Sequence, residues 1–429
     1  MQSNTPGSVP SKVKNLIGQA RKSSLVRNTL SYTVNFGLQL VIQLAFFMLI
    51  SRNLGAEGYG VFISITSASI IAGFIIGLGS EYLLVQRVAV DPDAFPRYFG
   101  HALIMMALTL PLVAIPMIVF LHYLVGDTIS LLHLSVISLT DLIFTRLVVL
   151  AAQAYMAFDK ANKQLFINAF MAISKLVFLI AATSLNSKLT VSDWTWWYFA
   201  SGLLSAIVAI ALVFRDLGRP IMTIVREDLR LSSLYCVEFL AIGSMKDLDK
   251  PVVVHAIDAH AGGQYAAGFR IIDAASAPVR AFLYATYTHH FRHAEVGREN
   301  SYSFALKLLP AAVGLALPVA IGLFVIADYI PLVLGEDFAE TPSVIKCLAF
   351  YPLLMGLSGI GADLLRAIGH QKVRMALLIF TSLALVPVVW FGAIMGGLVG
   401  AALFRFAVQS ALTLLTWAAI LVSRKRNAA

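Results

Sequence analysis

The chain has only two cysteines in 429 residues, Cys236 and Cys347, each inside an apolar run, so it has no disulfide framework and no cysteine metal spacing. Charge is scarce too: 13% of residues are Asp, Glu, Lys or Arg, about half the share of an ordinary soluble domain. No Walker loop, GxSxG, HExxH or CxxC occurs, which removes P-loop ATP hydrolysis and most common catalysis. What fills the chain is apolar, with 59% hydrophobic residues and a mean hydropathy of +0.81. That composition implies an all-α polytopic membrane protein. The net charge of +9 would suggest nucleic acid in a soluble protein. Here the positive-inside rule accounts for it, and no nucleic-acid partner is expected.

About twelve hydrophobic spans follow a polar start, each near the ~20 residues that cross a bilayer. Short joins rich in Gly, Pro and charge separate them, such as Arg52-Asn53-Leu54-Gly55 and Gly335-Glu336-Asp337. Residues 1–28 read as a polar tail in which Val9, Val13, Leu16, Ile17 and Ala20 recur at helical spacing among basic residues. That pattern suits either a surface helix on an anionic membrane or a flexible basic tail. The first thirty residues show no cleavable signal, so the first span is expected to stay as an anchor. Lys and Arg favour alternate joins by about ten to one, which puts both termini in the cytoplasm after an even number of spans. Trp194, Trp196 and Trp197 are expected at the outer interface.

The loop at 216–231 divides the spans into a lobe at 29–215 and a lobe at 232–422, with a basic tail at 423–429. The lobes echo each other. Gly55–Gly60 matches Ala261–Ala266 at an offset of 206, aligning Tyr59 with Tyr265, and the ends of spans four and ten match at 210. Two six-span repeats related by a pseudo-two-fold axis along the membrane normal would enclose a central cavity.

Charge deep inside spans is costly, about 2.5–3.5 kcal/mol per group at the bilayer centre, and so points to function or to pairing. The cations at such depth are Arg146, Lys175, Lys246, Lys250, Arg270, Arg280, Lys346 and Arg405; the acids are Asp141, Asp247, Asp249, Asp273 and Asp363. The surplus is roughly three positive charges. On a helical wheel Arg270, Asp273, Arg280, Tyr284 and Tyr287 share one face of span eight, with Ala274 and Ala277 keeping it open. Arg146, Lys175, Arg280, Lys346 and Arg405 have no partner within their own helix. A cationic cavity of these eight residues suits an anionic ligand, above all phosphate. Asp141, Asp249, Asp273 and Asp363 are candidates for ion coupling by H+ or Na+, or for charge pairing. The bland reading holds that all of these pair across helices and only tie the bundle together. Interior prolines, notably Pro251 and Pro278 flanking the charged stretch Met245–Arg280, are expected to kink helices. His289, His290 and His293 have a spacing that could hold a metal, but they sit at a basic span end and read as surface histidines. No metal and no cofactor are expected.

Taken together, Ser51–Phe62, the passage from Asp249-Lys250 to Gly263-Gln264-Tyr265, Leu334–Phe338 and Arg366–Lys372 resemble the polysaccharide-transport branch of the multidrug/oligosaccharidyl-lipid/polysaccharide (MOP) exporter superfamily, the O-antigen-type lipid-linked oligosaccharide flippases. The resemblance covers nearly the whole chain. It implies a non-enzymatic flippase of the bacterial inner membrane that moves an undecaprenyl-pyrophosphate-linked oligosaccharide by alternating access. Its expected partners are that lipid-linked oligosaccharide, membrane lipids and a glycan polymerase or other polysaccharide assembly proteins. Two alternatives stand beside it. A drug exporter of the same superfamily would prefer a cavity of negative charge. A polytopic polymerase or glycosyltransferase would carry a long outer loop, and none here exceeds about a dozen residues.

Overall fold

A computed structural model describes the backbone of residues 11–185 and 188–428, and side chains of residues 39–424 apart from 127, 186 and 187. The side chains of the basic segment at 9–22 and of the tail after 424 lie outside the described residues. Every regular element described is a helix. Among the described residues seven helices are long and apolar enough to cross a membrane, or eight with the bent pair Glu336–Leu348 and Tyr351–Ala367 taken as one span. Two of the seven fold back on themselves. At Gly55 (φ 68°, ψ 179°) the first leaves helical geometry. Phe47 and Tyr59 then meet at 5.7 Å between ring centroids, where a straight helix would hold them about 18 Å apart. Gly396 and Gly397 break the last in the same way and bring Phe391 to 5.9 Å from Phe404.

The chain is therefore an all-α membrane fold of twelve spans in two six-helix halves. We label them α1 (11–54), α2 (56–73, continued by Ser80–Val88), α3 (Phe95–Val125), α4 (Leu131–Ala157), α5 (Ala161–Leu185) and α6 (Val191–Asp216). The second half holds α7 (Leu229–Asp247 and Asp249–Ala256), α8 (Ala259–Ala275 and Ala277–Val296), α9 (Arg298–Ile326), α10 (Thr341–Leu348 and Tyr351–Ala367), α11 (371–395) and α12 (398–428). α7 and α8 do not appear among the seven apolar helices because the stretch Met245–Arg280 loads them with charge.

Breaks in the helices explain where many polar side chains go. Pro251 has no N–H to complete the helix across the break at Leu248, and carbonyls near it are taken by cations instead. Lys250 Nζ donates to the Lys246 carbonyl at 2.9 Å, and Arg405 Nη2 to that of Met245 at 2.7 Å. Pro278 follows the break at Ser276, and Arg280 Nη2 donates to the Asp273 carbonyl at 2.6 Å. In α2, Gly77, Leu78 and Gly79 all take positive φ. The Gly77 N–H there donates to Thr109 Oγ1 (2.9 Å), and the Leu78 carbonyl accepts from Ser232 Oγ of α7 (2.6 Å).

The halves meet on two faces. On the face of the Gly55 turn, α2 crosses α8 backbone to backbone. A Cβ on Gly60 would lie 1.9 Å from the Ala259 carbonyl oxygen, and one on Gly263 would lie 1.8 Å from that of Ala56. These contacts are reciprocal, so the pseudo-two-fold axis passes between Gly60 and Gly263 and relates the halves at an offset of 203. The offset of 206 suggested by the two tyrosines is thus corrected by three residues, and the turn at Gly55 falls opposite Asp258, whose carboxylate caps α8 by accepting from Ala261 N at 2.7 Å. On the opposite face α2 packs along α7, with Tyr82 stacked on Phe239 at 3.6 Å. The connection at 217–228 lies along α3 there: Ile221 N donates to the Pro96 carbonyl (2.8 Å) and Val225 N to His101 Nδ1 (3.2 Å). Asp228, at its end, pairs with Arg87 and accepts from Tyr98 at 2.7 Å.

The tryptophans expected together at the outer interface divide. Trp194 is wholly buried against Phe62 and Tyr198 in the core of the first half, whereas Trp196 is half exposed. An aromatic cluster in sequence gives depth along a helix but not which way each ring turns.

Candidate functional site

Between the halves lies a cavity of two connected chambers. The first, about 370 Å³, is walled by Gln39 and Gln43 of α1, Lys246 of α7, and Arg270, Asp273 and Arg280 of α8. The second, about 360 Å³, reaches into the first half and is bounded by Phe46, Phe62, Asp141, Thr145, Lys175 and Tyr198. Gln43, Lys246 and Arg270 line both and mark the junction.

At the junction Arg270 Nη2 donates to Gln43 Oε1 at 3.3 Å, a polar bond across the two halves. Arg280 Nη1 lies 2.6 Å from Asp273 Oδ1, and Lys246 Nζ lies 3.6 Å from Asp273 Oδ2. In the second chamber Lys175 Nζ donates to Tyr198 Oη (3.1 Å), which donates to Asp141 Oδ1 (2.6 Å). Thr145 Oγ1 donates to the same Asp141 oxygen at 3.1 Å. The Asp141 Oδ2 atom is buried and has no partner. Asp141 and Thr145 lie on a π-helical turn, 140–145, that interrupts α4 and turns both side chains inward. The cavity therefore holds four cations (Lys175, Lys246, Arg270, Arg280) against two carboxylates (Asp141, Asp273), a surplus of two.

The other expected residues lie elsewhere. Arg405 and Asp249 are fully buried in the second half, with Arg405 Nε 3.1 Å from Asp249 Oδ2. Tyr265 Oη donates to the same oxygen (2.8 Å), and Lys250 Nζ sits 2.8 Å from Asp247 and 3.3 Å from Asp249. Phe269 carries Lys250 over its ring at 4.5 Å and Arg405 at 5.4 Å. With the freed carbonyls of α7 this forms a buried network that fastens α7 to α12, with Arg405 Nη1 left without a partner. Arg146 pairs with Glu81 inside the first half, over the Phe74 ring. Lys346 reaches Asp328 at 2.7 Å, away from the cavity. Asp363 lines a shallower groove beside α8 and α10 with Arg280, Tyr284, Tyr287 and Arg366. Of the eight cations expected in one cavity, the structure gathers four.

Of the three histidines expected at the surface, His289 is exposed and His290 is not. His290 is buried, and its ring and that of His293 pack on Phe304 at 5.1 and 4.2 Å. Among the described residues no cluster of metal-binding side chains forms. Gln43 and Tyr198 carry no charge that would mark them in the sequence. Gln39 and Gln43, four apart in an apolar run, were the available signal for the first. Glu81 and Glu238 stand nearer span ends, where the sequence suggests only contact with water; the structure instead pairs Glu81 with Arg146 and Glu238 with Arg366 and Arg374.

The sequence matches no protein-family model and no curated protein. The fold does have solved counterparts. The inward-facing conformation of a multidrug resistance MATE family transporter of the MOP superfamily aligns with a TM-score of 0.71 at 16% identity, over 90% of this chain and 96% of that one. The inward closed conformation of the lipid II flippase MurJ aligns with a TM-score of 0.73 at 15% identity, over 91% and 87%. A MOP superfamily transporter from Pyrococcus furiosus, described as having a binding pocket of reverse polarity, aligns with a TM-score of 0.62 at 16% identity, over 94% and 95%. The chain is built on the fold of the MOP superfamily transporters.

Proposed function

We propose that this protein flips a polyprenyl-pyrophosphate-linked oligosaccharide across the bacterial inner membrane, with both termini in the cytoplasm. The observation that carries the reading is the charged wall of the first chamber, where Lys246 and Arg280 flank the single carboxylate of Asp273 and Arg270 stands beside them bonded to the neutral Gln43. A guanidinium supplies a planar fork for phosphate oxygens and an ammonium a compact charge, so this wall suits pyrophosphate. The anion displaces Gln43 from Arg270 and competes with Asp273 for Arg280. The lipid tail stays in the bilayer, and the halves rock about the α2–α8 crossing to change the exposed face. An H+ or Na+ gradient or the membrane potential drives the cycle. Asp141, with one oxygen unsatisfied, suits a coupling role better than Asp249, whose oxygens are already taken. A glycan polymerase or other assembly protein receives the product.

The neighbours include a multidrug transporter and a lipid II flippase, so fold alone does not choose between drug and lipid substrates. The positive surplus of the cavity favours the anionic lipid. The test is export of surface glycan in cells whose own copy is replaced by Arg270→Ala, Arg280→Ala or Lys346→Ala at matched protein level. The first two abolish export and the third spares it. Export that survives both cavity substitutions sinks the reading.

A further inference from the structure

We infer that the second chamber is the binding site for the sugar attached directly to the pyrophosphate, and that Asp141, Tyr198 and Lys175 recognise its polar groups. This rests on the function proposed above and adds to it where the glycan sits. The geometry has three parts. First, Lys246 and Arg270 line both chambers, so an anion held by them has its next covalent group at the mouth of the second. Second, the walls there combine aromatic side chains, Phe46, Phe62 and Tyr198, with hydrogen-bonding groups of both kinds, the pairing that suits a sugar ring with apolar faces and a polar rim. Third, Asp141 is 3% exposed and leaves Oδ2 without a partner, while its other oxygen is held by Tyr198 and Thr145.

A buried acceptor left open is costly in the empty protein and is satisfied when a donor arrives. A sugar hydroxyl or amide N–H supplies that donor. Lys175, half-buried and bonded only to Tyr198 among the contacts described, offers N–H groups to a ring or acetamido oxygen. At about 360 Å³ the chamber lies at the small end of ligand sites, roughly 300–1,000 Å³, so it reads the first sugar and not the whole glycan. Sites that hydrogen-bond a substrate group discriminate strongly against analogues lacking it, which makes this chamber the place where one lipid-linked glycan is told from another.

The experiment compares two probes on the full chain in nanodiscs: undecaprenyl pyrophosphate, and the same lipid bearing one N-acetylhexosamine. Tyr198→Phe and Lys175→Met are titrated with each, and Lys175→Arg serves as the conservative rescue. The loss of affinity is expected to be roughly tenfold greater for the glycosylated lipid than for the bare one, and Lys175→Arg restores most of it. Equal losses with both lipids, or no loss with the glycosylated one, overturn the sugar site while leaving the flippase reading intact. An effect seen only in the dependence of transport on Na+ or pH, with binding of both lipids unchanged, also overturns it and assigns Asp141 to coupling alone. Wild-type protein that retains neither lipid overturns the flippase reading itself and the sugar site with it.

Discussion

The two halves share a backbone and divide the chemistry. Across the axis at Gly60 and Gly263, Lys246 falls opposite Gln43, Arg270 opposite Ser67, and Asp273 opposite Ile70. One wall of the junction is charged, while its mate is neutral. The buried networks differ in the same direction. The first half encloses Arg146 with Glu81 and, separately, Asp141 with Tyr198; the second joins Arg405, Lys250, Asp249 and Asp247 into one network through Tyr265 and broken backbone. Duplicated backbone keeps the geometry of rocking, because that depends on where helices cross. Side chains are free to differ, and a ligand with one charged end is better held by an asymmetric cavity.

Four experiments would break or sharpen that contrast, beginning with the largest expected effect. Arg405→Ala removes the buried guanidinium from Asp249 and from the Met245 carbonyl, and with Lys250 and Tyr265 still on the carboxylate the loss is about 3 kcal/mol, the low end for breaking a buried pair. A thermal melt in detergent reads it, and a change within error of wild type would mean that Arg405 does not fasten α7 to α12. Gly60→Ala adds a Cβ where no space exists, an overpacking that costs about 1–3 kcal/mol in the conformation that brings α2 against α8. It is expected to trap the opposite conformation, measured by cross-linking cysteine pairs across the Gly55 face. Exchanging the axis mates, Gln43→Lys with Lys246→Gln, moves one charge across the junction without changing the total. Single Lys246→Gln should weaken binding of undecaprenyl pyrophosphate by about tenfold, and the double exchange should recover part of it. No recovery would show that the walls are not interchangeable.

The smallest effect concerns the connection between the halves. The Arg87 guanidinium beside Asp228 holds that carboxyl below the usual carboxylate range. A depressed value means the pair contributes above the unfolded carboxylate value, about 3.9, and the contribution disappears as pH falls through the lower folded value. Proteolytic nicking within 217–225 should therefore be flat from neutral pH down to about 4.5 and rise only below about 4. A rise already at pH 6 would point instead to His101, which accepts from Val225 N in its neutral form.

Much of this was legible in the sequence, for reasons specific to each element. The spans and their joins were read because apolar length and glycine turns are local, and Gly55 and Gly396–Gly397 stand at joins expected from the sequence. The charged stretch Met245–Arg280 was recognised as the organising feature, and it supplies the charged wall of the cavity. What escaped was azimuth. Depth in a span shows that Arg146 and Arg405 are buried, but not that Glu81 and Asp249 face them from other helices. The repeat was found at the wrong register because Tyr59 and Tyr265 match by residue type, while the close approach is made by Gly60 and Gly263, whose identities say little until the backbones are seen together. Tyr198 carries no sequence signal of its own; its role follows only from the hydroxyl that bridges Lys175 and Asp141.

The network at the α7 break also says something about biosynthesis. Asp249 is made more than a hundred and fifty residues before Arg405, its partner on the last helix. Until α12 enters the bilayer, Asp249 and the freed Met245 carbonyl lack their guanidinium donor, and Lys250 and Tyr265 alone hold the carboxylate. Membrane insertion of α7 is completed retroactively by the end of the chain. The twelfth helix thus brings the last donor that the break in the seventh requires.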